Sequence, residues 1–186
     1  NDGACDVPEL FQYNLTTSLA YYFIETVSVS DILIGSNDWV GAFIEDVCVG
    51  ARQWDTSVCL NNVCDIPIYG YDGSAGSFGY AEEGSMISFK VFDISESTYY
   101  DVNSISDNIY WNNLGTSYLS FLNVINDCYG NLGGNIFDYD QDGICDDLDE
   151  CFGIIDECGE CNGGNLSCSG CTDEDAENDN ECYDWE

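Results

Sequence analysis

"WVGAFIEDVCVGARQW", residues 39–54, contains two short apolar runs separated only by Glu45 and Asp46. β-Branched and aromatic residues fill both runs, and a polar pair between such runs is the pattern of a tight hairpin. Runs of the same kind recur at "AYYFIETVSVS" (20–30), "CDIPIYGY" (64–71), "SMISFKVFD" (85–93) and "SYLSFLNVI" (117–125). The turn clusters "GSND", "YDGSAGS" and "AEEGS" divide them. No helical period of comparable length interrupts the series. Spacing and composition together predict an all-β fold, an antiparallel β-sandwich of about eight strands.

The sandwich accounts for residues 1–127. Residues 128–186 are different in kind, with eight of the twelve cysteines and half of the 36 acidic residues in a much shorter length. Their apolar residues, among them Ile136, Phe137, Ile144, Leu148, Phe152, Ile154 and Ile155, are too scattered for a core. Disulfides or metal must supply what burial cannot, so this part is expected to be a small, disulfide-rich, calcium-stabilised irregular tail.

Charge narrows the partners. Arg52 and Lys90 are the only basic residues, and the formal charge is −34. Nucleic acid and anionic membrane surfaces both require positive charge, so neither is an expected partner. No apolar run reaches the roughly 20 residues needed to span a bilayer, and no direct membrane insertion is expected. Twelve cysteines, an even number at this density, read as a disulfide framework and place the protein outside the cell or on its surface. Asn1 opens a polar stretch without a signal region, so any export signal is expected to lie outside this sequence.

The expected framework comprises Cys5, Cys48, Cys59, Cys64, Cys128, Cys145, Cys151, Cys158, Cys161, Cys168, Cys171 and Cys182. "CLNNVC" (59–64) suggests a small clasp, and Cys171 with Cys182 would close another loop. Cys158 with Cys161 and Cys168 with Cys171 form two CxxC pairs, a spacing that zinc also uses. Their short separation and cysteine-rich neighbourhood favour disulfides.

"FDYDQDGICDDLDEC" (137–151) contains a metal-loop pattern. Asp138, Asp140 and Asp142 occupy positions 1, 3 and 5, Gly143 position 6, Asp146 position 9 and Asp149 position 12, and the carbonyl of Ile144 at position 7 can add an oxygen. Alternate carboxylates on a tightly turning loop converge on one point, and hard oxygens at this spacing suit Ca²⁺ better than Mg²⁺. A helical calcium sensor is excluded by the cysteine- and glycine-rich flanks. A second acidic string, "DEDAENDNE" (173–181), alternates Asp173, Asp175, Glu177, Asp179 and Glu181 but lacks the glycine that would fold them together.

Catalysis finds little here. The chain has no histidine, which removes histidine-based triads and metal centres. Adjacent acids such as Glu45 with Asp46, or Glu82 with Glu83, are expected by chance in so acidic a chain. Lys90 alternates with Phe89 and Val91, and is expected to be partly buried in an ion pair or, as in some adhesins, an isopeptide bond to asparagine. Asn14 (N-L-T) and Asn165 (N-L-S) fit the glycosylation acceptor pattern.

The D-x-D-x-D-G-x-x-D-x-x-D-x-C string resembles thrombospondin type 3 repeats, in which calcium and disulfides together rigidify an extended chain. "NDWVGAFIEDVCVGARQWD" (37–55), "CDIPIYGYDG" (64–73), "GYAEEGSMISFKVFD" (79–93), "TYYDV" (98–102) and "DECGECNGGNLSCSGCTDED" (156–175) look like the β-sandwich modules and acidic cysteine-rich strings of large secreted proteins of environmental bacteria. That resemblance implies surface attachment or assembly into extracellular fibres. Two functions follow as expectations. The first is a structural subunit of a surface fibre or adhesin, joined to copies of itself or to neighbouring surface proteins by strand addition, with residues 11–29 as candidate donor or edge. The alternative is a carbohydrate-binding module that stacks sugars on Trp39, Trp54, Trp111, Tyr99 or Tyr100.

Overall fold

A computed structural model describes residues 7–151 and 153–163. Cys5, Cys168, Cys171, Cys182, Asn165 and the 173–181 string lie outside the described residues. The chain divides into two compact units, one ending at Asn135 and the other beginning at Ile136.

The first unit is a two-sheet β-sandwich. One sheet contains β1 (Ser18–Val29), β2 (Ile32–Leu33), β5 (Cys64–Gly70), β8 (Ser104–Ile105) and β9 (Thr116–Val124). The other runs β4 (Val47–Gln53), β3 (Trp39–Ile44), β6 (Ser88–Asp93), β7 (Thr98–Asp101). Ala20, Tyr22 and Ile24 of β1, Ile66 and Ile68 of β5 and Leu119 and Leu122 of β9 meet Val40, Ala42, Val49, Phe89 and Val91 in a single buried cluster between the sheets. In β1 period-two alternation places Ala20, Tyr22 and Ile24 inward and Tyr21 and Glu25 outward.

The expected hairpin at 39–54 forms, with Ile44 opposite Val47 and Glu45 at φ 50° in the turn. Its register shifts between Ala42 and Phe43, which leaves Val49 as an extra residue on β4. Among the strand pairs, β1 with β9 runs parallel, Tyr21 to Thr116 through Val29 to Val124, where the sequence reading expected antiparallel pairing throughout. Side-chain alternation is the same in both senses, so it carries no information on strand direction.

Strands β3 and β4 are buried on both faces, which explains why their sequence is apolar without alternation. The second cover is residues 7–13. A short 3-10 helix, Glu9–Phe11, lays Phe11 on the outer face of the β3 sheet against Trp39, Phe43, Cys48 and Ala51. Phe11 meets Phe43 and Tyr99 edge-on at centroid distances of 5.7 and 5.4 Å. Gly41 makes the seat, since a Cβ there would stand 2.8 Å from the Phe11 ring.

Both open sides of the sandwich are fastened. On one, Arg52 of β4 donates to the Asp65 carboxylate of β5 at 2.5 Å and to the Asp65 carbonyl at 3.1 Å. Gly50 lets the backbones approach there, because a Cβ would lie 2.1 Å from the Pro67 carbonyl oxygen. On the other, β7 passes to β8 through Val102 and Asn103 alone, and the Asn103 amide group binds the backbone of Ile125 and Gly134.

Residues 126–134 remain with the sandwich by closing a turn that recurs in the second unit at 155–163. In the first copy Asp127 Oδ1 accepts from the amides of Tyr129 and Asn131, and in the second Asp156 Oδ1 accepts from those of Cys158 and Glu160. Asn126 bridges Leu132, and Ile155 bridges Cys161, each partner 29 residues further along (126 to 155, 132 to 161). The backbone bonds also match: Gly130 to Asp127, Gly133 to Ile125 and Gly134 to Asn131 become Gly159 to Asp156, Asn162 to Ile154 and Gly163 to Glu160. Left-handed residues fall at the same places, Gly130 and Gly133 in one copy, Gly159 and Asn162 in the other. A Cβ on Gly134 would lie 2.0 Å from Asp127 Oδ2, and one on Gly163 2.5 Å from Asp156 Oδ2.

Candidate functional site

In the second unit, the backbone amide of Asp146 donates to the Phe137 carbonyl at 2.8 Å and joins the two ends of the acidic loop. Between them Gln141 and Gly143 take left-handed conformations, φ 60° and 93°. This curls the chain so that the amides of Asp142 and Gly143 donate to the Asp138 carboxylate, at 3.2 and 3.0 Å. The Ile144 amide donates to Asp142 Oδ1 at 2.8 Å, and the Gly153 amide to Asp140 Oδ2 at 2.6 Å.

Asp138, Asp140 and Asp142 thus each present a carboxylate oxygen, all within 4.8 Å of one another. Oxygens that share one Ca²⁺ at about 2.3–2.6 Å can stand at most roughly 4.6–5.2 Å apart, so this spacing is that of a common shell. Three like charges at this separation repel by about 1 kcal/mol per pair even in water, a cost that a divalent cation reverses. Asp149 adds an independent feature. Its Oδ1 accepts from the Cys151 amide, while its Oδ2 is buried without a hydrogen-bond partner. A buried carboxylate oxygen left unpaired is costly, and a cation is the partner this donor set suits.

Of the remaining expected ligands, Asp146 lies outside the converging carboxylates, and its Oδ1 accepts from the Tyr139 amide. Ile144, expected to contribute its carbonyl oxygen, donates its amide to Asp142 Oδ1. Asp138, Asp140 and Asp142 are the residues that would hold calcium together, and its chemistry there would be charge neutralisation and loop closure.

Among the described residues the cysteines follow the expected framework with one exception. Cys59 bonds Cys64 across the Leu60–Val63 bridge, with a Cα separation of 5.0 Å. Cys128, Cys145 and Cys158 are disulfide-bonded. Cys161 bonds Cys151 rather than its CxxC neighbour Cys158, which removes that pair as a zinc knuckle. Cys48 is the exception, a free buried thiol beneath the 7–13 segment. Burial pushes it up to about 11, so it packs as a small apolar residue. Sequence reading included it because the total was even, and parity cannot distinguish a bonded sulfur from a core one.

Other expected site residues are also placed differently. Trp39, Trp54 and Trp111 are buried, and the Trp111 indole donates to the Ile68 carbonyl at 3.0 Å, so none is a sugar platform. Tyr99 and Tyr100 are half-buried. On the outer face of the β1 sheet, Phe23 and Tyr118 turn their rings towards each other, 5.1 Å apart and 18° from parallel. Strand β1 is internal, paired on one side with β5 and β2 and on the other with β9, so residues 18–29 offer no free edge. Lys90 forms an ion pair with Asp101, directly opposite it on β7, and lies 5.5 Å from the Phe43 ring. Asn14 is exposed, and its amide nitrogen donates to the Gly76 carbonyl. Among the described residues no helix is long and apolar enough to cross a membrane.

No family profile matches the chain, and no curated protein or solved structure matches it.

Proposed function

We propose that this chain is an extracellular structural module, a subunit of a surface fibre or adhesin, whose sandwich is the body and whose calcium- and disulfide-held second unit is a connector. The observation that carries the reading is the convergence of Asp138, Asp140 and Asp142 in a segment poor in apolar residues, with Asp149 Oδ2 buried and unpartnered beside the Cys151 attachment. A segment of this kind resists unfolding only while its carboxylates are neutralised and its sulfurs joined. The bonded cysteines fit an oxidising, extracellular setting.

Strand addition between subunits would use β7. Among the described strands β2 and β8 are two residues long, β5 contains Pro67, and β4 is tied to β5 by its own Arg52, whereas the fastening on the β7 side is made by Asn103, beyond the strand, which leaves Thr98–Asp101 as the accessible edge. Calorimetric titration tests the calcium reading: one or more Ca²⁺ bind the oxidised protein, and Asp140→Ala weakens binding at least tenfold. At a free calcium of about 100 times Kd the bound ion stabilises the unit by about 2.7 kcal/mol. Chelator with reductant then opens the 137–161 segment to protease while the sandwich stays intact. Full protease resistance after both treatments would overturn the proposal.

A further inference from the structure

The loop Tyr71–Tyr80 is held unusually firmly for an exposed segment. Asp72 accepts from the Thr17 amide at 3.1 Å, the Ser74 amide at 3.0 Å and the Ser77 hydroxyl at 2.8 Å. Asn14 donates through its side chain to Gly76 and through its backbone to the Tyr80 hydroxyl, at 3.0 and 2.6 Å. The Tyr71 amide donates to the Ala81 carbonyl. These restraints serve no core packing at the tip, because Phe78 is 84% exposed and Tyr71 44%. The backbone that presents these two rings to water has lost its conformational freedom before any partner arrives, which is the arrangement of a recognition surface.

Tyr71, Phe78 and Tyr80 form one wall of a groove of about 430 Å³. Ile44 and Glu45, from the β3–β4 hairpin, Gly79, Glu82 and Ser85 line the remainder, and Tyr71 and Glu82 continue into a neighbouring cleft of about 390 Å³. Among the described residues neither the Glu45 nor the Glu82 carboxylate has a hydrogen bond or an ion pair, although Glu83 beside them binds the Asn113 amide. Aromatic faces next to unpaired carboxylates favour a cation on an apolar stem, since both the ring quadrupole and the carboxylates attract positive charge. The charge of the whole chain, −34, acts in the same direction. This chain cannot supply the cation without breaking an ion pair, because Arg52 is held by Asp65 and Lys90 by Asp101.

We infer that this groove is a docking site for an arginine or lysine side chain of a different protein, with the charged head at Glu45 and Glu82 and the stem along Tyr71 and Phe78. The site is independent of the calcium loop. It gives the sandwich a partner other than a copy of itself.

The test is a heteronuclear NMR titration of the intact, calcium-loaded protein with a blocked pentapeptide containing one central arginine among glycines and serines. Saturable shifts confined to residues 44–46, 71–85 and 111–113 are expected. Glu82→Gln and Phe78→Ala should each weaken binding about tenfold, while Glu25→Gln, which removes the same charge from the far side of β1, leaves it unchanged. Equal weakening by Glu25→Gln would show that only bulk charge acts and would overturn the assignment. So would unsaturable shifts, equal binding of the norleucine analogue, or the same shifts with cellohexaose in place of the peptide. Phe78 and Glu82 are exposed, so neither substitution removes a core contact.

Discussion

Phe11 and Gly41 form a matched pair whose coupling can be calculated. Phe11 is fully buried on the outer face of the β3 sheet, and replacing it with alanine should cost about 3–5 kcal/mol, the usual range for a buried phenylalanine. Gly41→Ala acts from the other side of the same contact. Its methyl would stand 2.8 Å from the Phe11 ring and 2.9 Å from Phe43, and neither ring has a flexible end that could swing away. Overpacking of this kind costs about 1–3 kcal/mol. Gly41 is not in a left-handed conformation, so the alanine adds no backbone strain of its own. With Phe11 already reduced to alanine, the new methyl enters the space the ring has vacated and keeps only its close contact with Phe43, so its cost falls without vanishing. The double mutant should therefore be more stable than the sum of the single mutants predicts, by about 1 kcal/mol. The assay is urea unfolding of the four proteins, followed by the fluorescence of the tryptophans buried in the sandwich. If the segment 7–13 lifts off in the Phe11→Ala protein, the coupling persists, because Gly41→Ala then meets the Phe43 ring alone. Additivity to within about 0.5 kcal/mol would refute the seat described for Phe11.

Three further outcomes are expected. Cys48 should resist a bulky thiol reagent at pH 8 in the folded protein and react promptly in guanidinium, because burial both shields it and raises it to about 11; mass-mapped alkylation reads this, and rapid native labelling would contradict it. Asp72 titrates below the ordinary carboxylate range, chiefly through the Ser74 and Ser77 hydroxyls and then the Thr17 amide. Its stabilisation is therefore complete above about pH 4 and is lost as pH falls through the folded value, so the advantage of the native protein over Asp72→Asn should be constant near neutrality and shrink on acidification; a gap that widened in acid would reverse the assignment. Gly134→Ala, with its methyl 2.0 Å from Asp127 Oδ2, should open the 126–134 turn and raise amide exchange at Tyr129 and Asn131, whereas Gly130→Ala meets no atom within 4 Å and costs only backbone strain. Equal exchange in the two variants would count against the turn.

The sandwich was legible because short runs rich in β-branched and aromatic residues recur between turn clusters, and the 39–54 hairpin because Glu45 and Asp46 interrupt two apolar runs. The same run misled in one respect. "WVGAF" and "VCVGA" are apolar at every position because residues 7–13 cover the second face, and nothing in a strand pattern identifies the segment that will lie over it. Strand direction was equally hidden, so the parallel β1–β9 pair and the internal position of β1 emerged only in three dimensions. The spacing of Asp138, Asp140 and Asp142 announced their convergence, since every second side chain of a curled loop faces inward. It did not show that Asp146 would stand outside that set, with its Oδ1 accepting from the Tyr139 amide. The repeated turn did leave a trace: D-x-x-G with a glycine seven residues after the aspartate occurs at Asp127, Gly130 and Gly134, and again at Asp156, Gly159 and Gly163. Cysteines fill the second copy where tyrosine and leucine stand in the first, which obscured the likeness by composition.

Those two turns give the chain an unusual response to force. The backbone hydrogen bonds that close each lie within a stretch of about ten residues, from Ile125 to Gly134 and from Ile154 to Gly163, so re-forming them after they are pulled apart requires almost no loop-closure search. The Cys151–Cys161 bond, with a sequence separation of 10, limits how far the second can be drawn out at all. In the connector proposed above, such pieces would yield in short reversible steps and recover their length when the load is released.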